Sequence, residues 1–263
     1  MIFGGDVMKR IISIILVIVL LTGTAYALYC EKALFPIFVN GEELKLTDPP
    51  LAYNGRSYLP IKAISEAVGV SAEWKNNRVE IETLDIEALK NSCVMVYAGE
   101  TSKAYTKQAS GVLIDYDEVL TVNHVTEGRS YCAVVYDDSD LIKPCQIIDQ
   151  APAKDAAVLA PAEKTVKPVQ IGDSDTVKVG DKVYVISCPD GKKNEVTSGG
   201  VIEAGTFNGM VIFVTDAFTD NGSSGGAVFN SGGELIGLII GGSDETKMSY
   251  FAPINIIRKS LAA

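Results

Sequence analysis

From Val94 onward the chain alternates short apolar runs with turn formers. Val94 to Tyr97, Gly111 to Ile114, Val119 to Val122, Cys132 to Tyr136 and Ala156 to Leu159 make one set. Val183 to Ser187, Gly200 to Ala204, Val211 to Thr215, Ala227 to Phe229 and Leu235 to Ile240 make a second, and the two are divided near Pro161 to Pro168. Runs this short, bounded by glycine, aspartate and asparagine, are strands and not helices. Two such sets predict a mainly β fold of two antiparallel barrels packed together. Pro253 to Leu261 predicts a C-terminal helix that closes the structure.

The stretch from Phe38 to Thr83 has a different texture: strand, turn, strand, turn, helix, turn, strand. Asn40-Gly41 and Asn54-Gly55 are hairpin signals, because both residue types tolerate the left-handed backbone such turns need. Pro60 opens a helix whose Ile61, Ile64, Ala67 and Val68 share one face, and Gly69 stops it. Trp74, Asn76-Asn77 and Val79 to Ile81 predict a closing hairpin, and Leu84 to Lys90 a linking helix. The organisation expected is therefore a leader over residues 1–27, a small α+β domain over 37–84 and a β domain over 88–263.

The leader has the grammar of an export signal. Met8 is a plausible start, Lys9-Arg10 a basic flank, Ile11 to Leu21 an apolar core and Ala25-Tyr26-Ala27 a small-x-small cleavage pattern. Cleavage after Ala27 is expected, which makes the protein secreted or attached to the cell envelope. The competing reading is an uncleaved membrane anchor reaching Tyr29. Tyr29 is too bulky for Cys30 to be a lipidation site.

Composition narrows the function. With 263 residues, 47% of them hydrophobic, the chain buries sizeable cores. A net charge of -10, with no basic cluster beyond Lys192-Lys193, excludes nucleic acid as the expected partner. Five cysteines form no CxxC pair and there is one histidine, so neither a metal site nor a cofactor is expected.

The chemistry-bearing residues are few. Asn221-Gly222-Ser223-Ser224-Gly225-Gly226 places a serine between glycines that let the backbone aim N–H groups at one point. Hydrolysis through a serine needs such donors for the oxyanion and a base for the hydroxyl proton. His124, at the end of a predicted strand, is the single histidine and so the obvious base, an unperturbed imidazole titrating near about 6.5. A carboxylate must then hold the imidazole. Asp155, just ahead of Ala156-Ala157-Val158-Leu159, suits that task; Asp149 and the Asp137, Asp138, Asp140 group are the rivals, the group reading as a solvated loop.

The order His124, Asp155, Ser224 is that of chymotrypsin-like proteases. Around these residues the chain resembles the protease domain of the HtrA (Deg) family: SGVLID, VLTVNHV, KDAAVL, IGDSDTVKVGDKVYVISCPDG, VTSGGVI, TDAFTDNGSSGGAVFNSGGELIGL and FAPIN occur in the family's order. The resemblance implies six-stranded-type barrels, a His124–Asp155–Ser224 triad and an oxyanion hole at Gly222, Ser223 and Ser224. It favours Asp155 over its rivals. It implies a substrate pocket lined by Phe218, Asp220 and Asn221 and by Ile239, Ile240, Gly241 and Gly242, hence a preference for small or aliphatic P1 residues in a protein or peptide substrate. Ser223 departs from the asparagine or aspartate common in the family, and the family's PDZ domains are expected to be absent. FVNGEEL, NGRSYLP and IKAISEAVG followed by EW resemble the stalk domain named after the N-terminal region of copper amine oxidases. That segment has no histidine or cysteine, so it implies spacing or envelope contact and no copper chemistry. Cys132 and Cys145, in neighbouring predicted strands, are either a disulfide or two buried thiols. The alternative to a protease is a catalytically silent, protease-like peptide-binding protein.

Overall fold

The computed structural model describes residues 31–261 apart from 33–34, 40–41, 69, 76, 138–139, 162–165 and 208. The expected leader, Cys30, Asn40-Gly41, Gly69, Asn76 and Asp138 lie outside the described residues. The chain divides into two compact units, Met1–Pro60 and Ile61–Ala263.

In the first unit, β1 (Glu31–Lys32), β4 (Leu51–Tyr53) and β5 (Arg56–Tyr58) form an antiparallel sheet, and β2 (Phe38–Val39) pairs with β3 (Glu42–Glu43). Asn54 and Gly55 take φ of 50° and 71°, the left-handed pair that a two-residue hairpin requires.

The second unit begins with α1 (Ile61–Val68) and the hairpin of β6 (Val70–Lys75) and β7 (Arg78–Thr83). A short helix, α2 (Ile86–Asn91), follows. Asp85 caps it by accepting the Ala88 N–H at 3.0 Å, which satisfies one of the donors a helix start leaves unpaired.

Two closed six-stranded antiparallel barrels come next. The first contains β8 (Cys93–Thr101), β9 (Ala104–Asp115), β10 (Glu118–Thr121), β11 (Tyr131–Tyr136), β12 (Lys143–Ala151) and β13 (Ala156–Pro161), in the order β10-β13-β12-β11-β8-β9. The second contains β14 (Lys182–Ser187), β15 (Glu195–Phe207), β16 (Met210–Thr215), β17 (Ala227–Phe229), β18 (Leu235–Ser243) and β19 (Met248–Pro253), in the order β14-β15-β16-β19-β18-β17. Closure leaves no sheet edge exposed.

Each barrel has its own interior: Val96, Leu113 and Val134 fill the first, Val185, Val228 and Phe251 the second. A further cluster joins them, with Val112, Leu120 and Val158 from one barrel against Ile186, Phe229 and Leu238 from the other. Ile254 and Ile257 of the C-terminal helix (Ile254–Leu261) are buried in this seam.

The patterned strands and this helix match expectation. Each barrel gains a sixth strand, β12 and β19, that the apolar runs do not show. In β12 half-buried positions alternate with exposed ones and Pro144 interrupts the run, while β19 merges with the FAPIN segment.

Cys132 and Cys145 face each other across β11 and β12, and both thiols are free, as are Cys93 and Cys188. Burial pushes the thiols up, to about 11 for Cys132 and Cys188 and about 12 for Cys145. A pKa that far above neutrality leaves almost no thiolate, the form that reacts. Native protein at pH 8 is therefore expected to leave these cysteines unalkylated by iodoacetamide, and unfolding in guanidinium to expose all four, read by peptide mass mapping.

Candidate active site

β10 ends at Thr121, and Val122 leads in extended backbone into a one-turn helix, Asn123–Thr126. Thr126 closes the turn with its hydroxyl on the Asn123 carbonyl at 3.1 Å. From β12, Gln150 Nε2 donates to Asn123 Oδ1 at 3.0 Å and to Thr126 Oγ1 at 3.3 Å. This frame holds His124, whose side chain is 42% exposed.

Asp155 follows the tight turn Pro152–Lys154 with φ 49° and ψ 47°, a left-handed conformation costing a non-glycine residue roughly 1–2 kcal/mol. The compensation is visible. Oδ1 accepts the His124 backbone N–H at 2.8 Å and Oδ2 lies 2.8 Å from Nδ1. Hydrogen bonds to a carboxylate are the stronger kind. With Nδ1 donating, the neutral ring presents Nε2 as its proton acceptor.

Ser224 comes from the second barrel and reaches the first through Ser110 of β9. The Ser110 N–H donates to the Ser224 carbonyl at 2.8 Å and its hydroxyl to the Gly222 carbonyl at 2.9 Å. Thr121, three residues before His124, donates its hydroxyl to the Ser110 carbonyl at 2.7 Å. One residue therefore carries the serine loop to the strand that ends at the histidine. Among the described residues the Ser224 hydroxyl makes no hydrogen bond to the imidazole.

Within the loop the Ser223 N–H is engaged by the Asp220 carbonyl at 3.1 Å, and the Gly225 N–H by the Ile239 carbonyl at 2.7 Å. The Gly222 and Ser224 N–H groups have no hydrogen-bond partner among the described residues. This corrects the expectation for Ser223. Its amide closes the turn, and its hydroxyl, 2% exposed with the rest of the residue, accepts from the Ser187 hydroxyl at 3.0 Å.

Residues 109–238 match the trypsin-like peptidase domain, and residues 36–118 the copper amine oxidase N-terminal domain. This chain carries a trypsin-like peptidase domain. The periplasmic serine endoprotease DegP of Escherichia coli is 32% identical over 148 residues, 53% of this chain and 31% of DegP. A probable DegP-like endoprotease of Brucella suis is 38% identical over 142 residues, 50% of this chain and 27% of that one. The chain thus spans less than a third of the length of these relatives. Among solved structures, the serine endoprotease of Yersinia pestis aligns at TM-score 0.59 and 26% identity, over 66% of this chain and 62% of that one. The HtrA-type protease AlgW, solved with a decapeptide, aligns at 0.60 and 22%, over 67% and 65%.

In the peptidase domain a pocket opens beside Ser224, lined by Phe218, Thr219, Asp220, Asn221, Ile239, Gly241, Gly242, Ser243 and Asp244. Ile240 is not among the lining residues. It is the bulge residue between the Ile239–Phe251 and Gly241–Tyr250 pairs, and it packs against two of the apolar cores. Lys247 sits over the Phe218 ring at 4.4 Å and 3.6 Å from Asp244.

The rival carboxylates go elsewhere. Asp149 accepts its neighbour's Gln150 N–H. Of the group read as a solvated loop, Asp140 is exposed and meets Lys193 Nζ at 2.8 Å, while Asp137 is half-buried and accepts from Asn194 Nδ2 at 3.0 Å. Nothing in the sequence assigned Ser110, Thr121, Gln150 or Asn194 a role of its own, since each acts through a partner 11 or more residues away.

Within the serine loop Gly225 is the tightest point. Its φ is +83°, and a Cβ there would meet the Ser110 carbonyl oxygen and lie 2.6 Å from Thr121 Oγ1. Gly225→Ala is expected to lower stability by about 3 kcal/mol or more, seen as a lower urea midpoint.

Proposed function

We propose that this protein is a serine endopeptidase acting through His124, Asp155 and Ser224. The observation that carries the reading is the Asp155 carboxylate clasping both the backbone N–H and Nδ1 of His124 at 2.8 Å. Asp155 sets the tautomer, so Nε2 takes the Ser224 proton as the hydroxyl attacks a peptide carbonyl. The Gly222 and Ser224 N–H groups stabilise the oxyanion. His124 returns the proton to the leaving amine, and water repeats the sequence on the acyl-enzyme.

The substrate is a protein or peptide whose P1 side chain enters the pocket beside Phe218 and Ile239. Asp244 on its rim faces Lys247, so a small or aliphatic P1 residue suits it better than Lys or Arg. Export follows from the basic, apolar and small-x-small pattern of residues 9–27, and the periplasmic relatives support an envelope or extracellular site of action. The residue 37–84 segment serves as a stalk that spaces the peptidase domain or touches the envelope.

One observation favours a second reading, a silent peptide-binding scaffold: the Ser224 hydroxyl is not hydrogen-bonded to the imidazole. Such bonds commonly tighten only when substrate is present. A fluorophosphonate probe decides, because it labels an activated serine and spares an inert one.

Ser224→Ala is expected to abolish casein digestion and probe labelling while leaving the unfolding transition in place; hydrolysis retained in that variant refutes the mechanism. Asp155→Asn is expected to lower kcat by about 10²–10⁴-fold. Profiling against a peptide library should show aliphatic P1 residues dominating, and dominance of Lys or Arg would overturn the pocket assignment.

A further inference from the structure

The first connection of the second barrel, between β14 and β15, ends at Asn194. This residue is 1% exposed and has φ 45°. A buried carboxamide in a left-handed backbone is costly unless its polar atoms are satisfied, and here they are. Nδ2 donates to the Lys90 carbonyl at 2.9 Å, the Cys93 carbonyl at 3.1 Å and Asp137 Oδ1 at 3.0 Å, while Oδ1 accepts from the Cys188 thiol at 3.3 Å. The first three partners all precede the second barrel, at the end of α2, the start of β8 and the turn after β11. The side chain therefore ties the 188–194 turn to the first barrel.

That turn holds one end of a peptide group that matters. The Asp190 N–H donates to the Asn221 carbonyl at 2.7 Å. A trans peptide is planar, with C=O and N–H pointing in opposite directions. Fixing the Asn221 carbonyl toward Asp190 therefore fixes the Gly222 N–H away from it, on the side left free of partners.

We propose that Asn194 is a positioning residue for the oxyanion amide: by anchoring the turn it keeps the Asp190 N–H against the Asn221 carbonyl, and so keeps the Gly222 N–H aimed at the site. The inference rests on the serine-protease reading above. Asn194 touches no reacting atom. Without its side chain the turn is loosened and the peptide between Asn221 and Gly222 is held less firmly, so one of two oxyanion donors is misaligned for part of the time. The His124–Asp155 pair stays as it is.

The test uses the full chain and a peptide p-nitroanilide with valine at P1. Asn194→Gly keeps the left-handed backbone accessible while removing the side chain and with it the carboxamide. It is expected to lower kcat by about 10–100-fold, short of the loss of a whole donor, with KM changed by less than about threefold. Affinity for a peptide aldehyde, which forms a tetrahedral oxyanion on the serine, should fall in the same proportion, while affinity for the cleaved product peptide stays unchanged. A purely structural role would not separate those two ligands. An unfolding midpoint near that of the parent shows that the fold persists.

A kcat and aldehyde affinity within about threefold of the parent overturn the proposal. If Asn194→Gly does not fold, Asp137→Ala, which removes one of the acceptors, decides instead: a severalfold loss of kcat with KM held supports the proposal and no loss overturns it. A parent chain that neither hydrolyses the substrate nor takes the fluorophosphonate label refutes the protease reading itself, and the inference falls with it.

Discussion

The site depends on Ser110. It is 1% exposed and bonds in four directions: its N–H to the Ser224 carbonyl, its hydroxyl to the Gly222 carbonyl, its hydroxyl oxygen from the Cys188 N–H and its carbonyl from the Thr121 hydroxyl. Three of these partners, on the second barrel, carry the serine loop and the adjoining turn; the fourth is on the strand that leads to His124. Two barrels with separate interiors thus share a buried polar junction. Buried groups left unpaired cost about 1–3 kcal/mol each, so the junction resists sliding that an apolar seam alone would permit.

Left-handed backbone also occurs around the same place. Asp155, Asp190, Asn194, Gly222 and Gly225 all have positive φ, and they lie beside His124, in the 188–194 turn and in the serine loop. Left-handed residues persist where surrounding bonds over-determine them. Asp155 is held by His124, Asn194 by its bonds into the first barrel, and Gly225 by the close approach of Ser110 and Thr121. In the proposed mechanism such preorganisation keeps the donors aimed before a substrate arrives, which is where electrostatic stabilisation is most effective.

Much of the fold was legible because apolar runs such as Val183 to Ser187 and Leu235 to Ile240 report their strands directly. β12 escaped because its half-buried and exposed positions alternate around a proline, and a strand with one wet face reads much like a loop. Ile240 was assigned to the pocket with its neighbours through the family resemblance, which does not reveal that a bulge falls at this residue. Asp137 read as solvent-facing because a charge run shows its charge and not the Asn194 that comes to meet it, whereas Asp140 is exposed as its run suggests.

The sequence by itself determined the residue types of the site, one histidine and one serine set among glycines, together with the two-barrel plan. Those follow from composition and local pattern. Which carboxylate clasps His124, which amides stay unpaired and which turn holds the Asn221 carbonyl were decided only by the tertiary structure. Each depends on groups brought together from positions 31 to 112 residues apart, and one-dimensional periodicity holds no record of such long-range meetings.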